Sequence, residues 1–219
     1  MPTVSDIQPQ KKDPKRVNIF LDGKFAFGIS LESKVVNQLK IGGWVSDPLV
    51  QKLILNDQVE RLYDKAIKFL SFRPRSEKEV RDNLLQKLFK TAESDEEKKN
   101  FAKSVDTVVN KLKKLGQIDD RAFANWWYEQ RVRFKKISPR LIKAELLKKG
   151  IEKDLVEEVV QLTLSDQLNL AKEAAKKKAD SLQKFETKVF REKLGRYLAS
   201  KGFDWDVIKK VVDTLSQKS

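Results

Sequence analysis

The spacing of apolar positions changes its period once along this chain. Near the start the period is two. Val17, Ile19 and Leu21 alternate with Asn18 and Phe20, Asp22-Gly23 follows, and Phe25, Phe27 and Ile29 alternate on the return. An Asp-Gly pair between β-prone runs predicts a two-residue hairpin, because both turn positions need positive φ. A lone hairpin is marginal in water, so it is expected to pack on a helix or a third strand, for which Trp44-Val45 is the candidate. Leu31 to Lys40 reads as a short helix closed by Gly42-Gly43, and Ser46 or Asp47 before Pro48 opens another. Residues 1–14, rich in Pro, Gln and Lys, read as a flexible leader.

From about Leu62 the period is helical throughout. Ala66, Ile67, Phe69 and Leu70 share a helix that Pro74 stops. Ser76-Glu77-Lys78-Glu79 is a capping box that opens a helix to about Lys87. Thr91 to Asn100 is either an irregular insertion or a solvated helix start. Val105, Val108, Val109 and Leu112 then line one face of a helix that Gly116 ends. Asp119 or Asp120 caps the next helix, on which Phe123, Trp126, Trp127, Gln130 and Phe134 share a face. Ser138-Pro139 opens a further helix, Gly150 closes it, and Ile151 to Val160 forms the next. Helices over Asn169–Gln183, Lys188–Ser200 and Asp204–Ser216 complete the chain, with Phe203 and Ile208 as a hydrophobic staple.

These helices repeat. Leu146-Leu147-Lys148-Lys149-Gly150-Ile151, with Leu155 and Val159 beyond, is matched 52 residues on by Leu198-Ala199-Ser200-Lys201-Gly202-Phe203, Val207 and Val211. A fainter copy matches Ser76, Val80, Leu84, Leu85 and Lys87 to Ser138, Ile142, Leu146, Leu147 and Lys149, an offset of 62 residues. The reading is a mostly α protein: tandem three-helix repeats in an elongated array, preceded by a small piece containing a β-hairpin. The expected segments are a leader over 1–14, the hairpin piece over 15–60, and three-helix units over 61–117, 118–164 and 165–219.

Composition narrows the chemistry. The chain has neither His nor Cys, which removes Ser-His-Asp and Cys-His catalysis, disulfides and most zinc sites. Its scattered glycines form no phosphate-binding loop. Asp119-Asp120 lies in cap territory and Glu157-Glu158 on a solvated helix side, so neither pair reads as an acid–base couple. No enzyme, metal or cofactor is expected. No run of apolar residues approaches the roughly 20 needed to span a bilayer, and a cytoplasmic monomer is expected.

The net charge of +14 points instead to a polyanionic partner. Arg73-Pro74-Arg75 occupies the turn before the first capped helix. Arg131, Arg133, Lys135 and Lys136 precede the matching turn of the second unit, which continues to Arg140, and Lys148-Lys149 stands at that unit's Gly turn. These residues read as cationic rungs, one cluster per unit, for a phosphate backbone or an acidic groove; plain solvation and inter-helix salt bridges are the competing reading. Adjacent helix positions differ by about 100°, so Trp126 and Trp127 cannot both face outward; both are assigned to the core, with Trp126 the more exposed. Lys172, Lys176-Lys177-Lys178 and Lys184 read as a solvated face.

The run Ala66 to Val80, with Arg73-Pro74-Arg75-Ser76 and Glu79, resembles the first signature of the bacterial RecX regulatory proteins. Leu115-Gly116-Gln117-Ile118-Asp119-Asp120 with Phe123-Ala124 resembles the second, and Arg131 falls where that family has an arginine. Ser138-Pro139-Arg140 through Glu145-Leu146 to Lys149-Gly150-Ile151 resembles the third. The chain departs from the family at Thr91–Asn100, which lengthens the first unit, and at Lys87-Leu88-Phe89, which replaces the usual Lys-Gly turn. The resemblance implies tandem three-helix repeats in an extended, curved array, and a modulator of RecA in DNA repair, recombination and the SOS response. It implies binding to the RecA–single-stranded-DNA filament, with reduced strand exchange, ATP hydrolysis and co-protease activity, through blocked extension or promoted disassembly. The alternative is a sequence-independent DNA- or RNA-binding repeat protein that acts without RecA. Single- or double-stranded DNA is a further direct partner on either reading.

Overall fold

A computed structural model describes residues 1–86, 94–161 and 163–216. The Lys87-Leu88-Phe89 departure and the first part of the Thr91–Asn100 stretch lie outside the described residues. The chain divides into two compact units, Met1–Arg73 with Val80–Leu115, and Pro74–Glu79 with Gly116–Ser219.

The first unit opens with strands β1 (Val4–Gln10), β2 (Asp13–Leu21) and β3 (Lys24–Ser30), an antiparallel sheet in that order. The Asp-Gly turn joins β2 to β3, with φ of 48° at Asp22 and 81° at Gly23, as the hairpin requires. The leader expected over 1–14 is corrected: residues 4–10 are β1, hydrogen-bonded to β2. Val4 enters the sheet core beside Val17, Ile19, Phe27, Ile29, Val45 and Leu53, and Pro9 is tolerated because β1 is an edge strand. Trp44 contributes only an isolated bridge to Thr3. Phe25 does not share the inner face with Phe27 and Ile29. A register shift between Ile19 and Phe20 turns it outward, where it meets Phe20 edge-on at 5.9 Å.

Helix α1 (Leu31–Val36) is shorter than expected, because Gln38 adopts φ 51° and turns the chain so that Leu39 is buried. Helix α2 (Asp47–Leu70) runs unbroken through residues 60 and 61, where the sequence suggested a boundary between two helices. Its first half sets Leu53 on the sheet core, and its second half buries Leu62 and Ala66. Asp57 lies mid-helix and binds Arg16 of β2 at 2.5 Å, so its carboxylate serves the sheet rather than a helix cap.

Helix α3 (Glu77–Leu85) spans the division between the two units. Helix α4 (Asp95–Lys114) starts at the Ser94 cap, so the described part of the acidic-basic stretch is a helix start. It buries Val105, Val108, Val109 and Leu112, the face expected from their spacing.

The second unit holds α5 (Asp120–Gln130), a π-helical turn (Arg131–Lys135), α6 (Pro139–Lys148) and α7 (Lys153–Val159). Then follow α8 (Leu164–Leu182), α9 (Thr187–Ser200) and α10 (Trp205–Ser216). Helix α8 starts earlier than Asn169 because Thr163 and Asp166 form a capping box. Phe123, Trp127, Ile142, Leu146, Ile151 and Val156 make one core. Ala171, Ala175, Phe190, Leu194, Leu198 and the apolar face of α10 make another, which contains the Phe203 and Ile208 staple.

Candidate functional site

Two joints built from the same residue types hold the second unit together. At the first, Ser76 caps α3 by accepting the Glu79 N–H at 3.2 Å, and its hydroxyl donates to the Lys149 carbonyl at 2.7 Å. Gly150 at that spot has φ +84°, and a Cβ there would stand 2.7 Å from Lys78 Cβ. The Glu77 N–H donates to Asp120 at 2.8 Å, while Lys149 pairs with Glu79 at 2.6 Å. At the second joint the Ser138 N–H donates to the Lys201 carbonyl at 2.9 Å. Gly202, at φ +82°, faces Ser138 Oγ, where a Cβ would come within 2.7 Å. The start of one middle helix thus sits on the Lys-Gly end of the next, which aligns positive and negative helix ends favourably. Of the two candidate caps, Asp119 caps α5, and Asp120 serves the joint instead.

The sequence-predicted cations fall into distinct settings. Arg131 lies over the Trp127 ring at 3.8 Å and donates to Glu145 at 2.6 Å, and the same carboxylate accepts the Trp127 indole N–H at 2.8 Å. Lys149 is held by Glu79 and stands 4.1 Å from the Trp127 ring centre. Arg131 and Lys149 are therefore engaged inside the fold. Lys136 pairs with Glu173 at 3.0 Å. Arg133, Lys135, Arg140 and Lys148 are exposed, with Arg140 3.9 Å from Asp204. Arg73 and Arg75 are half-buried, the former in the first unit and the latter in the second.

Phe134 is corrected: expected on the core face with Phe123 and Trp127, it is 63% exposed. The π-helical turn advances the register, so Val132 packs against both cores instead. Trp126 is half-buried and Trp127 buried, as expected from their adjacent positions.

The acidic pairs are occupied by structure. Glu157 bonds Lys143, and Glu158 forms a two-bond pair with Arg121. The hydrogen bond from Arg121 holds the Glu158 carboxyl below the ordinary glutamate range and raises the Arg121 guanidinium. Burial, then the Asp166 charge, pushes the Tyr128 phenol above its ordinary value. Among the described residues no group of His, Cys, Asp and Glu is arranged to hold a metal ion. No described helix is long and apolar enough to cross a membrane.

A small antiparallel sheet followed by similar helical segments linked by serine–glycine joints defines a helical-repeat protein. Four family profiles match in chain order. They are the RecX N-terminal domain over residues 2–46 and the first, second and third RecX three-helix domains over 63–96, 119–160 and 165–212. The regulatory protein RecX of Bacillus licheniformis is 32% identical over 210 residues, covering 95% of this chain and 75% of that protein. The Clostridium beijerinckii protein is 31% identical over 215 residues, 97% and 95% of the two chains. A crystal structure of regulatory protein RecX superposes with a TM-score of 0.65 at 25% identity over 97% of this chain and all of that one. RecX from Lactobacillus salivarius gives 0.56 at 26% identity over 74% of this chain and 99% of that one. The chain belongs to the RecX family of regulatory proteins.

Proposed function

We propose that this protein is a negative regulator of RecA that binds the RecA–single-stranded-DNA filament. Binding lowers the filament's ATP hydrolysis, strand exchange and co-protease activity, and the protein acts as a cytoplasmic monomer without enzymatic activity of its own. Family membership carries this reading, since all four RecX profiles match in order. The repeat supports it physically. Units of similar sequence in one chain suit a filament of identical protomers, and tethering lets weak contacts sum to a strong one. Arg133, Lys135, Arg140 and Lys148 are the contacting cations, drawing the protein to the acidic filament and adding phosphate contacts. Arg73 and Arg75, on either side of Pro74 before α3, are further candidate contacts. Arg131, Lys136 and Lys149 act by holding the turns that present the others.

The test is single-stranded-DNA-stimulated ATP hydrolysis by the cognate RecA, titrated at two salt concentrations. Inhibition at a small fraction of the RecA concentration is expected, weakened by added salt and by Arg133→Glu with Arg140→Glu. No inhibition even in excess over RecA overturns the reading. Sequence-independent nucleic-acid binding without RecA is the second reading, favoured by the net charge of +14. It predicts tight binding to bare duplex and single strands, with a steep salt slope.

A further inference from the structure

From Gln130 to Ala144 the chain carries Arg131, Arg133, Lys135, Lys136, Arg140 and Lys143 and no carboxylate. Arg131, Lys136 and Lys143 are neutralised by Glu145, Glu173 and Glu157. Among the described residues Arg133 and Lys135 have no carboxylate partner, and both are exposed. Between them stands Phe134, with the Arg133 guanidinium 5.2 Å from its ring centre. An apolar ring at that position on a regular helix would turn inward. Here the Lys136 N–H bonds the Arg131 carbonyl at 2.7 Å, closing the π turn, and Lys136 takes φ 51°, a backbone region that L-residues with a Cβ rarely occupy.

Contacts with the following repeat fix that conformation. The Lys201 ammonium donates to the Lys135 carbonyl at 2.6 Å, and Glu173 holds Lys136 at 3.0 Å. The ring is therefore presented on a clamped turn, so little ordering is lost when a ligand meets it. A strained, clamped backbone that exposes an aromatic ring between two unneutralised cations is costly for the fold and suited to recognition.

We propose that Arg133-Phe134-Lys135 is a base-stacking site for single-stranded nucleic acid. Phe134 takes the face of one unpaired base, and Arg133 and Lys135 take the flanking phosphates. The local charge favours this partner over an apolar protein pocket, because the cations carry no internal countercharge and a phosphate backbone supplies it on both sides of each base. A duplex hides the base faces, so it engages only the cations. The site extends the filament reading to a direct contact with the strand, and bare-strand binding is measured without any recombinase, so the two fail separately.

The experiment uses the full chain and fluorescein-labelled oligomers of 20 nucleotides, followed by anisotropy at several salt concentrations. The probes are oligo-dT, an abasic strand with the same phosphates, and a duplex. Phe134→Ala is expected to weaken oligo-dT binding roughly fivefold to a hundredfold, the range one stacked base contributes, and to leave the abasic strand unaffected. Phe134→Trp restores binding. Arg133→Ala and Lys135→Ala weaken all three probes, each lowering the salt slope by roughly one phosphate contact. Since Phe134 is exposed, the wild-type thermal midpoint should persist in Phe134→Ala. Unchanged oligo-dT binding in Phe134→Ala, or an equal loss on the abasic strand, overturns the assignment. If oligo-dT binding is unchanged while RecA inhibition is lost, the turn docks on protein instead. Intact oligo-dT binding with no RecA inhibition by the wild type would sink the filament reading and leave this site standing.

Discussion

Alanine at Gly150 tests whether the serine–glycine joint is a fixed contact. Two costs arise there. Holding φ +84° costs an L-residue about 1–2 kcal/mol. The new methyl would also lie 2.7 Å from Lys78 Cβ and 2.8 Å from its Cδ. Lys78 Cβ is fixed to the start of α3, so relief requires the helix end to shift, a strain of about 1–3 kcal/mol. Together they amount to about 2–5 kcal/mol. Gly116 is the control, because it has φ +65° with nothing within 4 Å of an added Cβ. Gly116→Ala bears the conformational cost alone, about 1–2 kcal/mol. Urea unfolding followed by circular dichroism measures the difference, and hydrogen exchange over residues 76–80 and 146–151 locates it. Lys78→Gly removes the opposing atoms, so it should recover part of the loss in the double variant, a coupling that a cycle reads directly. Equal destabilisation by Gly150→Ala and Gly116→Ala, with no coupling to Lys78, would refute the joint.

Other perturbations test separate parts of the fold. Asp57→Ala strands the Arg16 guanidinium, the Arg16 side chain being only 12% and that of Asp57 10% exposed, and should cost about 3–5 kcal/mol. Replacing both partners by Met and Leu should cost far less, and equal thermal midpoints for the single and double variants would contradict this. Glu158 should titrate below the ordinary glutamate range, because its folded-state carboxylate accepts from Arg121. Its contribution to stability is therefore present above the unfolded-state glutamate pKa and is lost as pH falls through the lower folded value. An NMR titration of the Glu158 carboxyl carbon checks this: Arg121→Gln should return it to the ordinary range, and an unchanged titration means the pair is not formed in solution.

Where one residue's role is settled by its near neighbours, the sequence was a sufficient guide. The Asp22-Gly23 turn, the caps that Ser76 and Ser138 place on their own helices, and the Gly116 and Gly150 turns act through backbone groups a few residues away; the joints that Ser76 and Ser138 make to Lys149 and Lys201 do not, and the sequence did not announce them. Strand β1 was hidden because its strongest apolar contact, Val4, is isolated among polar residues, and its pairing partner begins only at Asp13. Phe25 was misplaced because a bulge is a property of two strands together. Arg131 and Lys149 carry a charge signal identical to that of exposed rungs. What turns them inward is Glu145 in one case and Glu79, 70 residues away, in the other.

The exposed position of Phe134 has the same kind of origin. Nothing between Gln130 and Ser138 announces a π turn, and the groups that clamp it, Glu173 and Lys201, belong to the following repeat. Lys201 also supplies, through its carbonyl, the acceptor that fixes Ser138 in the second joint. One Lys-Gly turn therefore does two jobs: it seats the start of the preceding α6 by its backbone and sets the turn before α6 by its ammonium. A change at that turn should be felt in both places. Lys201→Met keeps the backbone acceptor and the joint, and removes the clamp on Lys135 together with the ammonium's contact on the Tyr197 ring at 5.3 Å. If the turn's geometry serves recognition, this variant should retain the wild-type thermal midpoint to within the effect of one exposed hydrogen bond, while losing oligo-dT affinity in proportion to the disorder of Phe134. Loss of stability without loss of affinity would show that the Lys201 ammonium holds the fold and does not set the Phe134 site.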